Sequence, residues 1–178
     1  YDRTIFELAY STAVRINELW EIRADEVNLE DGLVKISTAK GGVERMVPLT
    51  PIAQAFLAFY MERIRPLWLK GSPSPYLFPT SRGTKQLVRY AIERLAGYVR
   101  LAGIQKKISF HAFRRSCATH LLEAGVDIRL IQALLGHRDI SSTQAYLITT
   151  TKDLREVLIR HHPAEIRFAK EVRRGQAA

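Results

Sequence analysis

The feature that most constrains the fold is a short region in which apolar and polar residues alternate. In the rest of the chain, apolar residues recur at the spacing of an α-helix. Residues 33–37 and 44–47 have the pattern of two strands, and the turn residues Lys40-Gly41-Gly42 lie between them. A second turn over residues 28–32 indicates a third short strand before it. The sequence therefore predicts a mainly α-helical domain that contains a small three-stranded antiparallel sheet, an α+β fold.

Helical patterns surround this region, and several begin or end at a recognisable residue. Pro51 opens an apolar helix that Pro66 is predicted to stop. Gly125 ends a later helix, and Asp127 caps the next one. The predicted helices cover residues 5–19, 51–64, 85–101, 111–124, 127–136 and 152–161, with a short one around Tyr146. No repeat or flexible linker interrupts them, so we expect one domain.

Charge and cysteine content narrow the possible functions. Lys and Arg number 27 against 18 Asp and Glu, and this net charge of +9 favours a polyanionic partner, nucleic acid before an anionic membrane surface. Cys117 is the single cysteine, which excludes an internal disulfide and a multi-cysteine zinc site. The uncharged stretch 51–61 is about half as long as a membrane span. Because the chain begins at Tyr1 without a signal-peptide pattern, we expect a fragment of a cytoplasmic protein.

Four segments carry most of the chemically distinctive side chains. They are YSTAVRINEL (10–19), AKGGVERMVPL (39–49), HAFRRSCATHLL (111–122) and the closely spaced LLGH (134–137) and TQAY (143–146). In this order they resemble the first arginine box, the hairpin lysine, the His-x-x-Arg box, the last histidine and the nucleophile segment of the tyrosine recombinases, or phage integrase family. The closing HHP (161–163) is similar to the Xer-type members, and the resemblance covers residues 3–162.

The resemblance implies the fold of the integrase catalytic domain and a site-specific DNA recombinase. Tyr146 would cleave a strand to give a 3′-phosphotyrosine and a free 5′-hydroxyl, and the strand would then be rejoined to a different one. The phosphotyrosine conserves the energy of the broken bond, so the resemblance implies no cofactor, neither ATP nor metal. The implied catalytic residues are Arg15, Lys40, His111, Arg114, His137 and Tyr146.

Two arginine side chains are chemically suited to binding a phosphodiester during its cleavage. Their forked donors can neutralise and hold the non-bridging oxygens, on which charge grows in the transition state. We expect Arg15 and Arg114 to form this clamp. Glu18 follows Arg15 by one helical turn, and we expect it to orient the arginine.

The remaining catalytic candidates concern proton transfer. A phenol with a pKa near 10 needs a cationic pocket and a proton acceptor before it can attack at neutral pH. His111 is the candidate base or donor, and His137 would donate a hydrogen bond to the phosphate. Lys40, at the tip of a glycine-containing hairpin, is the candidate general acid for the leaving 5′-oxygen.

The chain departs from the family at three places. Ala13-Val14 stands where the family most often has Gly-Leu, which we interpret as a change of packing rather than of chemistry. The amino-terminal DNA-clamping domain implied by the resemblance is not contained in residues 1–178, so weaker DNA binding is expected. A basic tail, residues 164–178, extends beyond the resemblance and either adds phosphate contacts or is disordered.

The implied partners are double-stranded DNA with paired recombination half-sites and a homo- or hetero-oligomer of recombinases, with no membrane; this places the protein at the nucleoid. Candidate phosphate contacts are Lys35, Arg45, Lys85, Arg89, Arg94, Lys106 and Lys107. The helix over residues 85–100 is the candidate for the major groove.

An apolar stripe of Leu154, Val157 and Leu158 needs to be buried. Two locations are possible, its own domain or a neighbouring protomer. We expect exchange of residues 152–162 with the neighbour in the assembled complex, as the resemblance implies, and a helix that is folded back or frayed in the free monomer.

Two other functions stay open at this point. A type IB topoisomerase shares the tyrosine nucleophile but rejoins the same strand, and a DNA-binding relic would keep the fold without catalysis. The intact set of catalytic residues disfavours the relic. Dimer resolution, integration of a mobile element and transposition are not separated by the sequence.

Overall fold

The protein folds into helices that surround one small sheet, and the computed structural model describes residues 1–37, 44–136 and 144–175. The helices are α1 (Asp2–Thr12), α2 (Ile16–Glu21), α3 (Pro51–Phe59), α4 (Arg65–Leu69), α5 (Val88–Leu101), α6 (Phe110–Glu123), α7 (Ile128–Leu135), α8 (Gln144–His161) and α9 (Pro163–Gly175). The strands β1 (Val27–Asn28), β2 (Leu33–Ile36) and β3 (Arg45–Pro48) follow α2. The predicted fold class is confirmed.

The sheet is antiparallel, with the strands in the order β1-β2-β3. Val34 pairs with Val47 and Ile36 pairs with Arg45, so these four side chains share one face. The three apolar side chains of this face are completely buried, and Arg45 is buried beside them. The sheet therefore directs one arginine toward the core.

Helix α1 is central because it packs against both α3 and α6. Strand β3 packs against α8, and α7 lies between α6 and α8. The core residues Leu8, Leu19, Leu57, Leu121, Leu134 and Leu158 are all completely buried, and they come from helices α1, α2, α3, α6, α7 and α8. This packing brings the end of α1, the start of α2, β3 and the end of α7 to one side of the domain.

The helix that begins at Pro51 was predicted to stop at Pro66, but it continues past this residue. A π-helical segment, Tyr60–Ile64, follows α3, and α4 continues the helix to Leu69. Proline lacks a backbone N–H and crowds the preceding turn of an α-helix. The wider π turn, in which the N–H of Arg65 donates to the Tyr60 carbonyl, accommodates Pro66 without ending the helix.

The carboxyl-terminal part also differs from the prediction. The two helices expected around Tyr146 and over residues 152–161 are one continuous helix, α8, and the described part of the tail, residues 164–175, is helical in α9 rather than disordered. Leu154 and Leu158 are buried in the core of their own domain, 3% and 0% exposed. In the single chain, these leucines of the apolar stripe therefore lie in their own domain and not in a neighbouring protomer. None of the helices in the described ranges combines the length and apolar character that a membrane crossing requires.

Candidate active site

Arg15 and Glu18 form a compact pair at the start of α2. The Glu18 carboxylate accepts from the backbone N–H of Arg15 at 2.8 Å and from its Nη1 at 3.0 Å. The acidic residue in the first turn thus satisfies a free N–H at the helix start, as in one half of a capping box. Glu18 is 4% exposed and the Arg15 side chain 51% exposed. The expected Arg15–Glu18 contact is thus present, and it leaves the guanidinium accessible.

Arg114, on α6, is held by two main-chain carbonyls. Its Nη1 donates to the Ala13 carbonyl at 2.6 Å, and its Nη2 donates to the Leu135 carbonyl at 2.7 Å. The residue is buried, and burial together with the nearby charge of Arg15 lowers its pKa to about 10. The guanidinium is therefore cationic at neutral pH and is fixed between the end of α1 and the end of α7.

Ala13 explains one departure from the family pattern. It caps the end of α1 with φ of 50°, in the left-handed region where glycine is favoured. Its carbonyl accepts the hydrogen bond from Arg114. The interpretation as packing alone was therefore incomplete, since this position also sets the backbone conformation that directs a carbonyl at Arg114.

The predicted phosphate contact at Arg45 is contradicted by its position. The side chain is 7% exposed, and its two terminal nitrogens contact the Glu18 carboxylate at 3.2 and 2.9 Å. Its Nε donates to the Leu134 carbonyl at 3.3 Å. The sequence contained a signal for this burial, since alternation along β3 places Arg45 on the same face as the core residue Val47.

The pKa of Glu18 is set by opposing effects. Burial raises it, but hydrogen bonds from Arg45 and Arg15 and the charge of Arg45 lower it below its usual value. Glu18 is therefore a carboxylate that neutralises part of the arginine charge. Three arginines and one carboxylate give this site a positive charge, as binding of a phosphodiester requires.

Of the other four predicted catalytic residues, two lie in the described part of the structure. His111 lies in the first turn of α6, exposed, three residues before Arg114. Tyr146 is the third residue of α8, whose helix packs against β3, α6 and α7. Lys40 and His137 lie outside the described residues. In the described ranges, no three His, Cys, Asp or Glu side chains are grouped as metal ligands.

The remaining predicted DNA contacts are on the surface, and most have acidic partners. Lys35 pairs with Glu44, Lys85 with Glu21, Arg89 with Glu93 and Arg94 with Asp2. Lys106 and Lys107 are exposed in the loop between α5 and α6. The helix proposed for the major groove begins at Val88 rather than at residue 85.

Sequence comparisons identify the relatives of this chain. The model of the phage integrase family matches residues 1–152. Tyrosine recombinase XerD of Pseudomonas putida is 38% identical over 162 residues, which are 91% of this chain and 54% of the relative. XerD of Staphylococcus saprophyticus is 42% identical over 163 residues, 91% of this chain and 55% of the relative. The chain thus spans about half the length of these relatives.

Solved structures with the same fold agree. The crystal structure of XerA recombinase superposes with a TM-score of 0.68 at 27% identity, covering 91% of this chain and 63% of that one. An integrase from mycobacterium phage Brujita gives a TM-score of 0.70 at 26% identity, with 91% and 52% covered. The match of the family model to most of the chain confirms the resemblance, and the chain belongs to the phage integrase family.

Proposed function

We propose that this chain is the catalytic part of a Xer-like site-specific recombinase that cleaves and rejoins DNA strands through Tyr146. The observation that carries the proposal is the convergence of Arg15, Glu18 and Arg114 where α1, α2, α6 and α7 meet. Relatives named XerD support the same chemistry.

The two arginines are suited to different parts of phosphate binding. Arg114 donates two of its five N–H groups to main-chain carbonyls, so the orientation of its guanidinium is set before DNA binds. Its other N–H groups can then bind phosphate without the free-energy cost of reorienting the side chain. Arg15 is half exposed and can close on a non-bridging oxygen while Glu18 holds its other side. Both cations would stabilise the additional charge of the transition state.

The proposed reaction is a transesterification. The Tyr146 oxygen attacks phosphorus, the bond between phosphorus and the 5′-oxygen breaks, and the phenol proton passes to His111. Lys40 gives a proton to the departing 5′-oxygen, and His137 donates a hydrogen bond to the phosphate. Attack by the 5′-hydroxyl of another strand on the phosphotyrosine reverses these steps and completes the exchange, with neither ATP nor metal required.

The test is covalent trapping on a nicked duplex, whose short leaving strand diffuses away after cleavage. The chain is expected to form a protein–DNA adduct that survives denaturant, and Tyr146→Phe is expected to bind DNA but form none. Tyr76→Phe, which removes a phenol oxygen in the loop after α4, is the matched control and should form the adduct. An adduct with Tyr146→Phe would refute the assignment of the nucleophile.

A second substrate tests Lys40. Lys40→Ala should slow cleavage by about 10²–10⁴-fold, the usual effect of losing a general acid. Sulfur in place of the bridging 5′-oxygen should restore most of the rate, because a thiolate leaves without a proton. Absence of selective rescue would assign Lys40 another role.

Strand exchange separates a recombinase from a type IB topoisomerase. A substrate with two sites should yield strands joined between sites, whereas a topoisomerase would restore the starting strands. The names of the relatives favour the recombinase. We further propose double-stranded DNA with paired half-sites as the substrate, and an oligomer of identical or related subunits at the nucleoid as the active form.

Exchange of residues 152–162 between subunits is the finer part of this proposal. Leu154 and Leu158 would have to leave their own core, where they are buried. Insertion of the same segment into the same position of the next subunit would restore the lost contacts. Exchange of identical elements therefore costs little free energy. Leu154→Ser with Leu158→Ser should destabilise the monomer with or without exchange, because both side chains are buried in the single chain. Exchange is therefore tested by a photocrosslinker at Val157, which should join two subunits on DNA with two half-sites and none on a single half-site. Crosslinks confined to one subunit on both substrates would contradict the exchange model.

A further inference from the structure

Arg45 is a buried charge that three other segments surround. It begins β3, contacts Glu18 of α2 through two nitrogens, and donates from Nε to the Leu134 carbonyl in the last turn of α7. Burying a guanidinium is unfavourable unless its donors and its charge are both satisfied. Here a carboxylate and a carbonyl satisfy three of its five N–H groups.

The residue that ends α7 packs directly on this guanidinium. Gly136 has φ of +67°, and a Cβ at this position would lie 2.9 Å from the Cζ, Nε and Nη1 atoms of Arg45. Glycine is therefore favoured for two reasons, the left-handed backbone and the space that the Arg45 guanidinium occupies. The close approach defines where the chain leaves α7.

Glu18 joins this contact to the candidate phosphate clamp. Its Oε1 accepts from Nη1 of Arg15 at 3.0 Å and from Nη1 of Arg45 at 3.2 Å. The position of Arg45 therefore fixes the carboxylate that orients Arg15. Without Arg45, Glu18 would keep Arg15 as its one cationic partner among the described residues, and its negative charge would be less completely compensated beside the phosphate site.

From this geometry we propose that Arg45 is a positioning residue for strand cleavage, an inference that rests on the proposed function. One side chain sets the relative positions of Arg15, strand β3, which follows Lys40 in the sequence, and the end of α7, which precedes His137. Arg45 acts through Glu18 and the α7 end, and it does not itself touch DNA.

The test compares Arg45→Met and Arg45→Lys with Arg63→Met, a matched control in the π-helical segment after α3, whose side chain is 68% exposed and pairs with Glu62. Single-turnover adduct formation is measured per folded molecule at saturating DNA. Arg45→Met should lose about 10²-fold, the effect of a small misplacement of catalytic groups, with DNA affinity within about threefold of the wild type. Arg45→Lys should recover only part of the rate, because an ammonium cannot hold both Glu18 oxygens and the carbonyl in one plane.

A pH profile separates positioning from loss of fold. Because Arg45 lowers the pKa of Glu18, its removal raises that pKa, and the acid limb of the adduct rate should move to higher pH in Arg45→Met but not in Arg63→Met. An unshifted acid limb, an unchanged rate, or a loss of DNA affinity as large as the loss of rate would overturn the proposal.

Amide hydrogen exchange gives a readout that needs no DNA. The Gly136 amide donates to the Ala133 carbonyl, and its protection should fall about tenfold or more in Arg45→Met and stay unchanged in Arg63→Met. Failure of the wild type to form any adduct would contradict the proposed function, whereas unaltered protection at Gly136 would contradict the positioning role.

Discussion

The buried arginines that contact the end of α7 contrast with the exposed basic residues of α5 and the loop that follows it. Arg45 and Arg114 are buried and hydrogen bonded to carbonyls or to Glu18. Arg89 on α5 and Lys106 in the following loop are exposed. Exposed pairs are weak and easily exchanged for a phosphate, whereas buried donors are fixed in place. Under the proposed function, Arg114 would orient the reacting phosphate, Arg45 would act through Glu18, and the exposed group would attract DNA without orienting it.

The largest expected difference concerns cleavage rate. Arg114→Met should slow adduct formation by about 10²–10³-fold, because a preorganised donor to the developing charge is lost. The double change Lys106→Ala with Lys107→Ala should leave the rate at saturating DNA within a few-fold. Single-turnover kinetics on the nicked duplex measure both. Equal losses in the two variants would erase the distinction between orienting and attracting charges.

The second expected difference concerns stability and pH. His162, between α8 and α9, is completely buried, and neither ring nitrogen has a hydrogen-bond partner among the described residues. Burial lowers its pKa to about 4. The unfolded chain gains a proton on this group near pH 6.5, so stability is complete above that pH and falls as the pH drops to about 4. The loss should be about 3 kcal/mol.

Denaturant unfolding at a series of pH values tests this. His162→Leu should flatten the pH dependence between 6.5 and 4, whereas His161→Leu, at the partly exposed neighbouring residue, should retain it. Parallel curves for the wild type and His162→Leu would show that another group causes the acid sensitivity.

The smallest expected effect is on salt dependence. If both Lys106 and Lys107 contact phosphates, the slope of log affinity against log salt should fall by about 2 in their double alanine variant, because each contact releases close to one counterion. Arg45→Met should leave the slope unchanged, since its charge is buried against Glu18. A fall in slope with Arg45→Met would return Arg45 to the set of DNA contacts.

Local patterns predicted much of the fold. The strands were found because alternation and a glycine turn need only neighbouring residues, and Asp127 caps α7 as expected by accepting from the N–H of Arg129. The stop at Pro66 was wrong because a π turn compensates for the proline. The break before residue 152 was wrong because packing against β3, α6 and α7 supports one long helix.

From the sequence alone one could predict the strands, most of the helices, the family, and the types of side chain available for phosphate chemistry. Only the tertiary structure decided which charges are buried and which main-chain atoms hold them. Arg114 reaches the carbonyl of Ala13 across 101 residues, and Arg45 reaches that of Leu134 across 89. Every residue has a main-chain carbonyl, so the residue type does not reveal which carbonyl will accept a hydrogen bond from a buried arginine. The selection is made by the packing of distant segments, because a buried guanidinium is stable only where that packing brings acceptors to it.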